Sequence, residues 1–417
     1  MSSRAERSVL SDPAMPHLLL VVFCCFAGFA LLVPVSPVWA LRGGADEFGS
    51  GLVTAVLMAA TVLSQLCVRA VLRRIGWTWT LALGALLLGL PAPLQALSDQ
   101  LPAVLGTTAL RGLGFGILTV CGSTAVSVLA PRGKQGAAIG LYGLAIAVPQ
   151  VLLTPAAPWL VSAIGLPAVL ACGALPVLAL PWTRGLGRAV AARVDEPARS
   201  GEPDEPAGAV LRRIALPLVL LLVVTSSGGA VLTFAPQFTP TPALATAALL
   251  ATTATAAVAR WVCGVLVDRY PPRPINVALL LSGSAGLLLT ASAVGPAPGT
   301  AALLAGMLLL GVAYGGLQSV TLVQAFDRAG TANRHVTSVA WNIGFDSGTG
   351  LGSLLIGVAA GAATFATGFA GFSAALALAA VAALVLGGRA VRPSPETVDT
   401  SRRAPGADEE RGSDLQR

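Results

Sequence analysis

Three ionisable residues stand inside otherwise apolar stretches of this 417-residue chain: Arg111, Arg260 and Asp346. A charge in hydrocarbon is costly unless it is paired or hydrated, so such residues commonly mark functional sites. Asp346 is the one acid expected at depth, where a carboxyl group can alternate between its charged and neutral forms. We expect Asp346 to couple proton movement to function. The alternative is that it only bonds backbone amides or Ser347 in a helix broken by glycines.

The two arginines differ in their expected depth. Arg111 lies roughly 15 Å along the helix from the expected extracellular end of its apolar stretch, near the membrane midplane. It either binds an anionic group or controls a neighbouring acid, or it forms an ion pair that holds helices together. Arg260 lies nearer the headgroups and is expected to be structural. If both arginines and Asp346 reach one cavity, an anionic or zwitterionic ligand is favoured over a bare cation.

Uncharged polar side chains at similar depth offer hydrogen bonds. Tyr314 and Gln318 are one helical turn apart, and Asn342 precedes Asp346 by one turn. Each side chain either orients a ligand or bonds a neighbouring helix for about 1 kcal/mol. We predict that Tyr314, Gln318 and Asn342 bind substrate together with Arg111.

Residue spacings typical of enzymes do not occur in the sequence. We find no His/Glu zinc pair, nucleophile elbow, phosphate-binding glycine loop or paired carboxylates. The chain has two histidines, and its six cysteines lie in apolar stretches without metal-ligand spacing. The sequence therefore predicts no enzymatic activity, no cofactor and no metal site.

The elements that position these residues are apolar runs long enough to cross a bilayer. Hydrophobic residues make up 55% of the chain and charged residues 11%, against about 25% charged in soluble domains. A hydrocarbon core about 30 Å thick needs roughly 20 helical residues per crossing. Continuous rather than alternating runs favour helices over a barrel. Twelve spans are predicted at 17–40, 50–72, 78–97, 101–127, 136–160, 165–182, 214–238, 242–267, 275–294, 300–323, 336–363 and 365–386.

Positive charge predicts the orientation of these spans. Most arginines and the sole lysine fall in the breaks on one side, and this side is expected to be cytoplasmic. The net charge of +7 is thus a topology signal and not a sign of nucleic-acid binding. Both termini are predicted to be cytoplasmic, in a plasma-membrane protein. The predicted parts are an amino-terminal tail 1–16, a six-helix bundle 17–182, a linker 183–213, a second bundle 214–386 and a disordered tail 387–417.

A loop after the eighth span carries a motif with a physical function. Gly264 allows close helix contact, and Asp268 with Arg269 can bond neighbouring helix ends. With Arg273, these residues resemble the Gly-x-x-x-Asp-Arg-x-Gly-x-Arg signature of the major facilitator superfamily of secondary transporters. We group Arg260 with this motif as part of a gating region.

The corresponding loop after the second span is a diverged copy of the motif. Arg74 and Gly76 keep the pattern, while Arg69 replaces its glycine and Arg73 its acid. Arg73, Arg74 and Gly76 are assigned to the same gating role.

Glycine and proline residues within the spans predict hinges. Gly143 and Pro149 in the fifth span form a loose version of a motif of exporters in the resembling family. Gly348 follows Asp346 in the eleventh span. We predict hinge roles for Gly143, Pro149 and Gly348.

The resemblance implies an all-α membrane protein with the fold of that superfamily. Twelve transmembrane helices would form two pseudo-symmetric six-helix bundles, with a small-molecule substrate bound between them at mid-membrane. It also implies a monomer that exports a small organic molecule or secondary metabolite in a proton-coupled manner, as bacterial drug and metabolite efflux permeases do. The alternatives are proton-coupled uptake and a ligand-binding receptor of the same fold that transports nothing.

Overall fold

The computed structural model describes residues 9–131, 134–194, 205–294, 299–330 and 333–386. The predicted tail 387–417 and residues 1–8 of the other predicted tail lie outside these ranges. Fourteen α-helices and no strand occur in them. The helices are α1 Ala14–Leu32, α2 Val35–Arg42, α3 Glu47–Gly89, α4 Pro91–Gln95, α5 Leu101–Leu129, α6 Gln135–Ile164, α7 Leu166–Cys172, α8 Leu180–Val194, α9 Ala207–Phe238, α10 Pro242–Val267, α11 Pro272–Ala293, α12 Thr300–Ala329, α13 Arg334–Ala362 and α14 Phe365–Leu386.

Within the described ranges these helices make twelve membrane crossings. Eleven continuous segments there are long and apolar enough to span a bilayer, and one of them, Glu47–Gln95, has 49 residues. Such a length is roughly 70 Å of helix, more than twice the hydrocarbon thickness. Gly76 divides this segment, because its φ of 73° and ψ of 172° are not helical and suit glycine alone. The second and third predicted spans therefore meet at Gly76, and the predicted all-helical fold is confirmed.

The sixth crossing extends beyond its predicted end. It consists of α7, a short 3-10 helix and α8, and α8 continues past Trp182 to Val194. Leu186 and Val190 on α8 are fully buried, and Gly187 packs against the backbone of Thr78. α9 then begins at Ala207, so residues 183–194 and 207–213 of the predicted linker are helical. We call the side where α8 ends and α9 begins the linker face, and the opposite side the far face.

Separate hydrophobic clusters of the described residues, two in each half, divide the helices into halves. In the amino-terminal half, α1 to α8, Phe29 stacks on Phe115 with ring centroids 4.0 Å apart. In the carboxy-terminal half, α9 to α14, Phe238 packs edge-on against Phe369. Each cluster of buried apolar side chains draws its members from one half only. The two six-span halves are thus separately packed bundles.

Close glycine contacts recur at corresponding places in the two halves. A Cβ added to Gly114 of α5 would lie 2.6 Å from the carbonyl oxygen of Gly84 in α3, between the third and fourth spans. A Cβ on Gly306 of α12 would lie 2.5 Å from the carbonyl oxygen of Gly286 in α11, between the ninth and tenth spans. Only small residues permit such approaches. The repeated contact reflects the pseudo-symmetry of the bundles.

Candidate functional site

A cavity opens between the halves, near the middle of the helices that line it. α1, α3 and α6 contribute one wall, and α9, α10, α12 and α13 contribute the other. The volume of the cavity is about 70 Å³, room for roughly two water molecules. The halves must therefore part further to admit an organic compound. The central cavity is lined by Phe29, Val33, Met58, Ile146, Ala147, Gln150, Val151, Thr154, Leu232, Thr253, Ala256, Ala257, Arg260, Tyr314, Gly315, Gln318, Phe345 and Thr349.

Arg260 is the charged residue among these lining side chains. It is exposed, and its Nη1 donates a hydrogen bond to Gln318 Oε1 at 3.1 Å. Tyr314 of α12 lines the same cavity. From the sequence, Arg260 is predicted to belong to the gating region with the loop motif. In the structure its side chain lines the central cavity, and the gating role stays a prediction.

Tyr314 and Gln318, predicted as a pair one turn apart, both line the central cavity. The Tyr314 ring is tightly seated, since a Cβ on Gly228 of α9 would lie 2.3 Å from its Cε2 atom. Phe345 of α13 faces it with ring centroids 6.3 Å apart. The pair thus supplies the polar part of the wall contributed by α12, and its contact with substrate stays a prediction.

Asp346 lies beside the cavity, between the lining residues Phe345 and Thr349. Its side chain is 5% exposed, and it is the one buried carboxylate in the described part of the chain. Oδ2 accepts a hydrogen bond of 2.7 Å from Nε2 of Gln65, which belongs to the amino-terminal half. From the sequence, Gln65 is one of the polar side chains that either orient a ligand or bond a neighbouring helix, and no pattern pairs it with Asp346. The bond therefore joins the two halves through an ionisable group.

Asn342 does not line the central cavity. Its Nδ2 donates to the backbone oxygen of Ser338, one turn earlier in α13, at 2.9 Å. Beside it, Trp341 stacks on Phe345 with ring centroids 5.7 Å apart. Substrate contact by Asn342 stays a prediction.

Arg111 lies apart from the central cavity, inside the amino-terminal half. It is 2% exposed, and its Nη1 donates to Ser36 Oγ at 3.2 Å. Ser36 in turn donates to Gln95 Oε1 at 3.4 Å, on α4 near the far face. Nε of Arg111 has no hydrogen-bond partner among the described residues. The three deep charges therefore do not share one cavity in this conformation.

The loop-motif residues cluster at the linker face. Asp268 caps the carboxyl end of α10, and the guanidinium group of Arg273 bonds the backbone oxygen of Leu384 on α14. A Cβ added to Gly264 would have Ser319 Oγ as its nearest contact, at 4.0 Å. The remaining members are exposed there: Arg73, Arg74, Gly76 and Arg269. Their gating role stays a prediction.

The residues predicted as hinges have different surroundings. Pro149 is buried within α6, while a Cβ on Gly143 would meet nothing within 4 Å. Gly348 is a point of tight packing, because a Cβ there would lie 1.9 Å from Thr225 Oγ1 of α9. Substituting Gly348 would thus separate α13 from α9.

Small and hydroxyl-bearing residues close the halves together towards the far face. Thr233 of α9 donates to Thr54 Oγ1 of α3 at 3.1 Å, and Gln237 donates to Ser50 Oγ at 2.8 Å. A Cβ on Gly51 of α3 would lie 2.4 Å from the backbone oxygen of Ser353 in α13. We call this contact region the far seam. The Gln65–Asp346 bond lies at its inner end, level with the cavity.

Towards the linker face, α6 and α10 carry loosely packed or exposed residues. Glycines in the first third of α6 face no neighbour within 4 Å of an added Cβ: Gly136, Gly140 and Gly143. Arg260, seven residues from the linker-face end of α10, is exposed. Towards the far face the halves also flank a second pocket of about 210 Å³, between the ends of α6 and α9, so the far seam closes only the contact of α3 with α9 and α13.

Comparisons with known proteins agree with this architecture. Residues 18–353 match the family model described as Major Facilitator Superfamily. The structure of the nucleoside transporter NupG is 15% identical, with a TM-score of 0.71 over 90% of this chain and 100% of that chain. The peptide transporter POT in complex with sulfate is 15% identical, with a TM-score of 0.68 over 92% and 96%.

A third solved structure, a bacterial homologue of the human lysosomal transporter Spinster in an inward-facing and unoccupied conformation, is 14% identical. Its TM-score is 0.64 over 90% of this chain and 95% of that one. At such identities the likeness concerns the fold. No curated protein matches the sequence.

Proposed function

The chain belongs to the major facilitator superfamily of membrane transporters, and we propose that it exports a small organic molecule in a proton-coupled manner by alternating access. The central cavity would bind the substrate, and Asp346 would carry the coupled proton. One chain lines the whole cavity, so a monomer suffices. The arginine-rich linker face would be cytoplasmic, with the protein in the plasma membrane.

The observation that carries this proposal is the hydrogen bond between Asp346 and Gln65. It connects the two halves that must move relative to one another, at the level of the cavity. A hydrogen bond to a charged acceptor contributes more than one to a neutral acceptor, by about 1 kcal/mol. Protonation of Asp346 would therefore change the balance between far-closed and far-open conformations roughly fivefold. Proton binding and the opening of the far seam would be linked through this contact.

Proton-coupled uptake is a second candidate, and a specific observation favours it. Exchange of substrate for protons is simplest when both compete for one carboxylate. Here Asp346 is buried against Gln65, whereas the charge that lines the cavity is that of Arg260. Substrate and proton can then be bound at the same time, which is the condition for symport.

Transport in proteoliposomes tests the proposal. Radiolabelled uridine, dialanine and 2-naphthoate would be followed with and without an imposed pH gradient, the first two because the structurally similar proteins transport nucleosides and peptides. For a transported probe, the wild type should respond to the gradient and Asp346→Asn should not, although counterflow remains in both. The matched control is Asp327→Asn, an exposed acid on α12.

Three results would decide among the alternatives. A gradient response that Asp346→Asn retains in full would remove the proton-coupling role. The sign of the response separates export from uptake. Saturable binding without flux or counterflow would identify a receptor.

A further inference from the structure

We propose that the central cavity recognises an organic anion, with the carboxylate bound by Arg260 and an apolar, aromatic body held between the halves. This inference rests on the proposed use of the cavity as the substrate site and names the chemical class of the substrate. It depends on Arg260, on the neutral groups around it and on the composition of the opposite wall.

The guanidinium group of Arg260 has no anionic partner in the part of the chain that the structure describes. No carboxylate there lies within ion-pair distance of it, and Asp346 is engaged by Gln65. Its one side-chain hydrogen bond there goes to a neutral amide, Gln318 Oε1. A guanidinium group offers five N–H donors in a planar fork that matches a carboxylate. Donors of Arg260 therefore remain available to a ligand.

The neighbouring polar groups suit a carboxylate better than a cation. Tyr314 lines the same cavity as Arg260, and its ring cannot retreat because it rests on Gly228. A phenol can donate a second hydrogen bond to an anionic oxygen. No acidic side chain of the described residues lines the cavity wall. The nearby carboxylate of Asp346 is already bonded to Gln65, so the charge that faces a ligand in the cavity is the positive charge of Arg260.

The rest of the wall is apolar and partly aromatic. Phe29 and Met58 line it from the amino-terminal half, and Leu232 and Phe345 from the other half. Gln150 of α6 is a polar group on the wall opposite Arg260. A planar apolar body would contact both halves while its carboxylate stays on α10. Such a ligand would draw the halves together around the cavity.

Binding to the purified full-length protein in detergent tests this class. The probes are 2-naphthoate and 2-naphthamide, which share their shape and differ in charge. We expect the wild type to bind the carboxylate at least tenfold more tightly than the amide. Arg260→Gln should remove this preference while keeping amide binding, which also reports that the cavity is folded. Arg260→Lys should retain part of the preference, because it keeps the charge but not the fork.

The matched control is Arg188→Gln, an exposed arginine on α8 outside the cavity, which should behave as the wild type. Equal affinity of the wild type for both probes, or binding of neither, would overturn the inference. So would a carboxylate preference that survives in Arg260→Gln. The binding assay uses no pH gradient, so its result does not depend on proton coupling. If the wild type prefers the carboxylate probe but its substrate flux ignores a pH gradient, the proton coupling is refuted and the anion site stands.

Discussion

Replacing Gly51 with alanine should open the far seam. The new Cβ would lie 2.4 Å from the backbone oxygen of Ser353, whereas ordinary contact begins at 3.4 Å. α3 and α13 must then part by about 1 Å, at an overpacking cost of about 1–3 kcal/mol. The nearby hydrogen bond from Thr233 to Thr54 would weaken as well.

This cost falls on the conformation in which the far seam is closed. The ratio of far-open to far-closed molecules should therefore rise about 5- to 150-fold. A matched control is Gly106→Ala on α5, where an added Cβ meets nothing within 4 Å. That substitution should leave the conformational ratio unchanged.

Distances between spin labels in lipid nanodiscs measure this ratio. Labels at Gln100 and Thr364 place one probe on each half, at exposed far-face positions, in a variant whose six native cysteines are replaced. Gly51→Ala should add a population with a longer distance that the control lacks. Identical distance distributions for Gly51→Ala, Gly106→Ala and the parent, with all three folded, would refute the closed seam.

Two other substitutions test contacts deeper in the protein. Gln65→Leu removes the donor to Asp346 and should weaken the contact between halves by about 1.5–3 kcal/mol. The spin-label distances should then show a larger far-open population. An equal effect of Gln65→Leu in the Asp346→Asn background would show that the two side chains are not coupled. Arg111→Met should leave the thermal unfolding temperature unchanged or raise it, because the buried guanidinium group lacks an acid partner among the described residues. The same substitution should leave the affinity for 2-naphthoate unchanged. Loss of that affinity would show that Arg111 contributes to ligand binding.

The spans can be predicted because bilayer thickness fixes how many apolar residues a crossing needs. The break between the second and third spans is also visible in the sequence, as a basic stretch ending at Gly76. The continuation of α8 is hidden, since its arginines give a composition typical of a linker. Burial of Leu186 and Val190 against neighbouring helices decides the helix there, and composition does not report that contact.

The site is only partly predictable for a similar reason. Tyr314 and Gln318 can be paired from the sequence because helical spacing is local. The pairs Arg260–Gln318 and Gln65–Asp346 are 58 and 281 residues apart in sequence, and no periodicity links such distant positions. The position of Arg111 likewise depends on Ser36 and α4, which one helix pattern cannot reveal.

Proton movement driven by substrate alone tests the central claim most directly. Proteoliposomes that contain the pH dye pyranine would receive a transported probe across a substrate gradient, with no imposed pH gradient. We expect the wild type to move protons with the probe, and Asp346→Asn to move the probe by counterflow without any change in internal pH. Substrate flux in the wild type with no proton movement, or unaltered proton movement in Asp346→Asn, would contradict the account.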